Sequence, residues 1–346
     1  MSDNKQGAAL AASRPGLWKK FMSLNGSAVF LAMIAYIILV EIIMQVTGAG
    51  SGEGLKFITA SNFMAVLRSQ VYVGIMACGI TLVMITGNID LSIGNMMTFL
   101  GCICAGMMMD VGSGPLAIVG TLALGALCGL FNGVLVSYVK LNSFITTLGA
   151  SSIYGALALL YSKGKFLVVD EGKSAFFDAF GLTTFGPVHI LIVWFAVVVA
   201  VVGFVLSRTV FGQRLYTIGA NPVAARFSGI RSKRDTCLAY VITGLLVGLA
   251  AAITIANVHS INPQSTSNRE MDVILAVVLG GTSVLGGKGS IWGTVIGVLF
   301  AGVLSSGFTQ LNITQYAQWV IMGIIMVAAL SLDVLKERGI KLWKKK

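Results

Sequence analysis

Long apolar runs separated by short polar or glycine-rich breaks dominate this chain. Ten such runs are readable: 27–47, 62–86, 92–109, 115–138, 143–162, 188–207, 236–258, 271–286, 289–308 and 314–335. A membrane-crossing helix needs about 20 apolar residues, and most runs meet or approach that length. The runs are continuous rather than alternating, which excludes an outer-membrane barrel with its segments of about ten alternating residues. The pattern predicts an all-α, polytopic bundle of about ten spans. The runs at 92–109 and 271–286 are short and rich in glycine and methionine, so either is a candidate for a broken or re-entrant segment.

Composition agrees. Of 346 residues, 56% are hydrophobic and 11% charged, against about a quarter charged in a soluble domain. Mean hydropathy is +0.88. The net charge of +11 points to nucleic acid in a soluble protein; here its distribution matches the positive-inside rule instead. With ten spans and a cytoplasmic N-terminus, only Lys56, Arg68, Lys163, Lys165, Lys173 and Arg269 fall outside, and the other 18 of the 24 basic residues fall inside. Both termini are therefore expected in the cytoplasm. Residues 1–26 read as a polar cytoplasmic tail rather than a signal peptide. Residues 27–335 form the transmembrane domain, and 336–346 a basic cytoplasmic tail. Two connections are long: 163–187 outside, and 208–235 inside.

Glycine is abundant, with 42 residues. Gly125, Gly129 and Gly133, and again Gly289, Gly293 and Gly297, recur every fourth position. That spacing lines one helix face with small residues and lets a neighbouring backbone approach closely. Lys140-Leu141-Asn142 follows the first stripe and Gln310-Leu311-Asn312 the second, a faint echo compatible with two inverted five-span halves.

Catalytic chemistry is sparse. The five cysteines lie in or beside apolar runs without metal or redox spacing. His189 and His259 fall at the outer ends of spans, as interfacial residues. Gly280 to Lys288 superficially resembles a phosphate loop, but Gly287 stands where the lysine belongs and no Ser or Thr follows Lys288. No cofactor and no nucleotide site are expected. Glu41 lies about two turns inside the first span, within reach of the interface. Asp90 is different: Asn88, Asp90 and Ser92 form a polar break between two apolar runs, flanked by Gly87 and Gly94. Such a break is tolerated in a membrane only when it lines a cavity or is buried in protein. Asp90 either caps the following helix or takes part in function.

The inner connection carries the clearest local signal. Asn221 fits an N-cap and Pro222 the first helical position. Gly229 fits the left-handed position after a C-terminus. Pro222 to Ser228 is then a short helix of about 10 Å, too short to be stable alone. It carries Val223, Ala224, Ala225 and Phe227 and needs a surface to dock on: the chain's own inner face or a separate subunit.

Asn88–Gly94, Leu141–Gly149, Asn221–Ile230 and Leu279–Gly289, taken in order, resemble the ribose/galactoside/arabinose-type permease subunits of bacterial ATP-binding-cassette importers. The resemblance runs from about residue 60 to Asp333. It implies a permease homodimer or heterodimer in the inner membrane, cytoplasmic ATP-binding subunits, and a periplasmic sugar-binding protein delivering substrate. The family's coupling element falls on Asn221, Pro222, Val223, Ala224, Ala225, Phe227 and Gly229. Asn88, Asp90 and Ser92, with Thr146 and Thr147, become the candidate translocation or gating residues. A nucleoside or branched-chain amino acid permease of the same superfamily, and an ion-coupled secondary transporter, are the competing readings.

Overall fold

In the computed structural model, residues 27–48, 54–264 and 269–337 are described. The expected tail 1–26 and all but the start of the basic tail 336–346 lie outside them. The helices are α1 Ser27–Thr47, α2 Ala60–Ser69, α3 Val71–Ile85, α4 Ile93–Asp110, α5 Gly114–Ser137, α6 Ser143–Ser162, α7 Ala175–Leu182, α8 Ile190–Arg208, α9 Val210–Ala220, α10 Pro222–Phe227, α11 Ser232–Val258, α12 Arg269–Leu279, α13 Ile291–Gln310 and α14 Gln315–Glu337. Among the described residues, seven helices are long and apolar enough to cross a membrane, or eight if the bent pair α2–α3 is one span.

The bundle is organised around α3 and α11. Every residue of α3 except Tyr72 is buried, as befits a helix apolar on all sides. The long α11 lies against both α3 and α5. Its crossing with α5 is made by the first glycine stripe. A methyl added at Gly125 or Gly129 would collide with the carbonyls of Gly244 or Tyr240, and at Gly133 it would lie 2.9 Å from the Cys237 carbonyl. From the opposite face, a methyl at Gly248 would lie 2.8 Å from the Thr121 carbonyl. The second stripe behaves likewise: Gly293 and Gly297 on α13 face the carbonyls of Gly280 and Ala276, at and beyond the end of α12. Gly289 itself precedes the helix, where an added methyl would sit 2.8 Å from Thr282 Oγ1.

Two predicted spans are interrupted. The run 62–86 is two helices bent by 51° at Gln70. The run 271–286 is helical only to Leu279. Eleven residues rise about 16 Å, half of a hydrocarbon core of about 30 Å. Beyond Leu279 the chain turns irregular, with Gly281, Gly286 and Gly287 at positive φ. The run 92–109, by contrast, is one continuous helix, α4. The echoed Leu-Asn pairs take different conformations. Asn142 caps α6 by accepting from Phe144 N and Ile145 N, whereas Asn312 sits at φ 57°.

Residues 163–187 fold against one end of the bundle. Strand β1 (Leu167–Val168) pairs antiparallel with β4 (Ser260–Ile261), and β2 (Thr184–Phe185) with β3 (Val188–His189). Phe177 on α7 is fully buried. Asp178 Oδ1 lies 2.8 Å from His259 Nε2 at the end of α11. Gly181 is pressed against the backbone of Ala256. Glu41 is buried in the protein. Its carboxylate accepts from the backbone N–H groups of Lys56, Phe57 and Ile58 at 2.7–2.9 Å and from Gln45 Nε2 at 2.8 Å, pinning the segment that leads into α2. All five cysteines are buried and unpaired with each other.

Candidate functional site

The break between α3 and α4 is stitched to three other helices. Its backbone groups lack helical partners, and in a low-dielectric interior each unpaired group costs about 1–3 kcal/mol. Side chains supply the partners. Ser143 Oγ accepts from Ile89 N at 3.3 Å, and Thr147 Oγ1 accepts from Leu91 N at 3.0 Å. Tyr240 OH donates to the Ile89 carbonyl at 3.0 Å. These come from α6 and α11.

Asp90 is at the centre. Its Oδ1 accepts from Ser92 N at 2.9 Å and Ser92 Oγ at 2.6 Å. Its Oδ2 accepts from Asn132 Nδ2 of α5 at 3.3 Å, and Asn132 Nδ2 also reaches Ser92 Oγ at 2.8 Å. Tyr154 of α6 places its hydroxyl 3.3 Å from Asn132 Oδ1 and 3.1 Å from the Cys128 carbonyl. The carboxylate thus makes a local turn bond two residues on and a tertiary bond across the bundle. The turn bond ends on Ser92 N, before the first helical residue Ile93, and α4 has no side-chain cap, so Asp90 braces the break and does not cap the helix. Asp90, Ser92 and Thr147 are fully buried, so in this conformation they brace the break instead of lining an opening. Asn88 is half-buried and donates to Thr86 Oγ1 at 2.9 Å. Thr146 stands apart: its hydroxyl donates to the Asn142 carbonyl of its own helix.

Asn132, Tyr154, Tyr240 and Ser143 do not stand out in the sequence as site residues. Asn132 carries a readable signal, a carboxamide inside an apolar run between Gly129 and Gly133. The two tyrosines and Ser143 carry none, because their roles depend on which helix faces which.

At the opposite end of the bundle from residues 163–187, two helices follow α8. The shorter, α10, is capped as its sequence predicts. Asn221 Oδ1 accepts from Val223 N at 3.1 Å and Ala224 N at 3.0 Å. The last helical residue is Phe227, one earlier than expected, with Ser228 as the C-cap, and Gly229 takes φ +75°. Ala225 is fully buried against the bundle, whereas Val223 is 64% and Phe227 88% exposed. The bundle itself therefore takes Ala225 and leaves the two larger apolar side chains uncovered.

The preceding helix, α9, joins α10 to both irregular segments. Tyr216 OH donates to the Gly289 carbonyl at 2.8 Å. Gly219 packs directly on the Ile85 carbonyl and on Gly287 N, and Gly287 N donates to the Ile85 carbonyl at 2.8 Å. Gly286 lies against Gly87, such that a methyl on it would be 2.7 Å from Gly87 N. The segments 86–92 and 280–290 thus meet each other under α9, backbone to backbone. Among the described residues no cluster of His, Cys, Asp and Glu fit to hold a metal ion is present.

A family model described as branched-chain amino acid transport system / permease component matches residues 62–330. The chain is 34% identical over 304 residues to the ribose import permease protein RbsC of Bacillus subtilis, covering 88% of this chain and 91% of that protein. It is 31% identical over 306 residues to the fructose import permease protein FrcC of Rhizobium meliloti, 85% and 84% of the two chains. To the autoinducer 2 import system permease protein LsrC of Escherichia coli it is 33% identical over 285 residues, 80% of each chain.

Proposed function

The chain belongs to this family of transport-system permease components, and from that premise we propose that it is the membrane-spanning subunit of an ATP-driven importer that admits a monosaccharide. The sugar class rests on the ribose and fructose import permeases to which the chain is similar over most of its length. The proposed assembly has two permease copies or two related permeases in a bacterial inner membrane. Cytoplasmic ATP-binding subunits sit beneath them, and a sugar-binding protein docks on the other side. The end bearing residues 163–187 then faces outward, and both termini face the cytoplasm.

The observation that carries the mechanism is the capped helix α10, with Phe227 88% exposed on a unit that its own bundle holds through Ala225. Asn221, Pro222, Val223, Ala224, Ala225, Phe227 and Gly229 are the proposed coupling element, with Val223 and Phe227 filling a groove in the ATP-binding subunit. Closure of that partner displaces α10, and α9 passes the displacement to Ile85 and Gly287. Ile85 leads into the Asp90 break, and Gly287 lies in the 280–290 segment. Asn88, Asp90, Ser92 and Thr147 act as the gate's brace, and Thr146 stays a candidate on the same helix. The extensive hydrogen bonding of Asp90 and Glu41 speaks against either as an ion site, and so against ion-coupled transport.

Reconstitution tests the proposal. Proteoliposomes containing the permease, its ATP-binding partner and the binding protein should take up labelled sugar only with ATP available to the ATP-binding side. A proton ionophore should leave uptake unchanged. Uptake that persists without ATP and collapses with the ionophore would refute it.

A further inference from the structure

A groove of about 540 Å³ runs along the α5–α11 crossing, at the end of the bundle opposite residues 163–187. Leu130, Val134 and Tyr138 form one wall, and Arg234, Leu238 and Val241 of α11 the other. The spacing of four on the first wall, and of four and seven on the second, puts each set on a single helix face. Gly129 and Gly133 draw the two backbones together, and Leu130 and Val134, one position further on, stand beside that contact. Leu130, Val134, Tyr138 and Leu238 are all exposed, so nothing among the described residues covers the groove.

Its length and its charge are both one-sided. From Leu130 to Tyr138 the helix rises about 12 Å, most of one leaflet, which is about half of a 30 Å hydrocarbon core. The walls are apolar until the end nearest α10, where Arg234 is the charged residue of the lining. Lys233 Nζ lies 5.9 Å over the ring of Tyr138, so a second cation stands at the same rim. Among the described residues no carboxylate is within ion-pair distance of either; the neighbouring Asp235 is buried and has Arg214 of α9 at 3.9 Å. By contrast, a groove of about 340 Å³ between α1 and α2 has no charged residue in its lining.

An apolar channel one leaflet deep, with two unpaired cations at its mouth, fits one amphiphile with an anionic head. A helix from a second permease copy would run the whole length of both spans and leave the cations facing apolar side chains. Basic pockets between helices on the cytoplasmic side suit lipid headgroups. Resting on the membrane orientation proposed above, we propose that the α5–α11 groove holds one anionic phospholipid of the inner leaflet. An acyl chain lies along Leu130, Val134, Leu238 and Val241, and the headgroup phosphate accepts from Lys233 and Arg234. The lipid then ties the start of α11, which follows α10, to the segment of α5 that carries Asn132.

Native mass spectrometry of the full-length permease in detergent, titrated with phosphatidylglycerol or phosphatidylcholine, provides the test. The wild-type chain should bind one phosphatidylglycerol in preference to phosphatidylcholine. Each cation near an anionic lipid is worth about fivefold, so Lys233→Gln with Arg234→Gln should weaken phosphatidylglycerol binding about 30-fold and leave phosphatidylcholine binding unchanged. Arg234→Lys, which keeps the charge, should retain the preference. Equal affinity of the wild-type chain for the two lipids overturns the proposal, as does a double variant that still prefers phosphatidylglycerol. Displacement of the lipid by inorganic phosphate overturns it in favour of a free-anion site. Crosslinking of Val134→Cys between two permease chains in native membranes overturns it in favour of a second copy on the groove. Lipid binding is read without transport, so a wild-type importer that carries no sugar overturns the proposed function and not this site.

Discussion

Removing the Phe227 side chain isolates the contact that α10 offers to a partner. Fully burying a phenylalanine contributes about 1.5–3 kcal/mol. Phe227 is 88% exposed in the free chain, so nearly all of that is available on docking, or about 1.3–2.6 kcal/mol. Phe227→Ala should therefore weaken binding of the ATP-binding subunit by about 10- to 80-fold per site. Val223, at 64% exposure and one helical turn away, should cost less when shortened to alanine. The cap from Asn221 and the burial of Ala225 remain, so α10 keeps its shape and permease abundance should be unchanged. The assay is affinity of the purified ATP-binding subunit for permease in lipid discs, read beside hydrolysis stimulated by the loaded binding protein. Wild-type affinity and stimulation in Phe227→Ala would refute the coupling assignment. Loss of the permease from the membrane would show that Phe227 packs on its own bundle.

Three further outcomes are expected. Asp90→Asn puts an amide N–H₂ against the donors of Ser92 or Asn132, at a cost of about 1–3 kcal/mol, so uptake per permease molecule should fall; normal uptake with normal abundance would leave the Asp90 charge without a role. Gly129→Ala drives a methyl into the Tyr240 carbonyl, whereas Gly149 has nothing within 4 Å, so membrane-extracted thermal stability should drop for the first and hold for Gly149→Ala. With the native cysteines buried, a membrane-impermeant thiol reagent applied to intact cells should label Asp170→Cys and not Arg226→Cys; the reverse would invert the proposed topology.

What is legible in the sequence is local or steric. Asn221, Pro222 and Gly229 act within one turn of themselves, so capping rules place α10 within a residue. Gly125, Gly129 and Gly133 announce a close helix crossing because only a close approach needs four-residue spacing of missing side chains, although nothing in the stripe names α11 as the partner. The interrupted span at 271–286 is flagged by its glycines, yet its stop at Leu279 is hidden because Val284-Leu285 resume the apolar run beyond the short break Gly280–Ser283. The helix α9 and the bend at Gln70 are not legible, since the first is an ordinary amphipathic stretch inside a loop and the second depends on packing. Asp90 stands out by its charge. The distant groups around it do not: Asn132 reaches Asp90 from α5, Tyr154 of α6 braces Asn132, and Ser143 and Tyr240 hold the neighbouring Ile89 backbone from α6 and α11.

The placement of glycine explains how so small a helix as α10 is able to act on the bundle. A displacement is absorbed where long side chains lie between two elements, since rotamers shift first. Beside Leu215, Tyr216 and Ile218, which pack α9 on the bundle through side chains, one contact under α9 has none. Gly219 rests on the Ile85 carbonyl, Gly286 on Gly87, and Gly287 N holds the Ile85 carbonyl at 2.8 Å. Movement of α9 must move these backbones. Thr81 and Thr294, with hydroxyls 2.7 Å apart, link α3 to α13 one turn or more above, so the two irregular segments are held together at both levels. The Asp90 knot anchors the next helix: with the carboxylate, Asn132 and Ser92 bonded to one another, the start of α4 is tied to α5. On the proposed function, closure of the ATP-binding partner reaches the knot through α9 and the backbone contacts of Gly219 with Ile85 and Gly287.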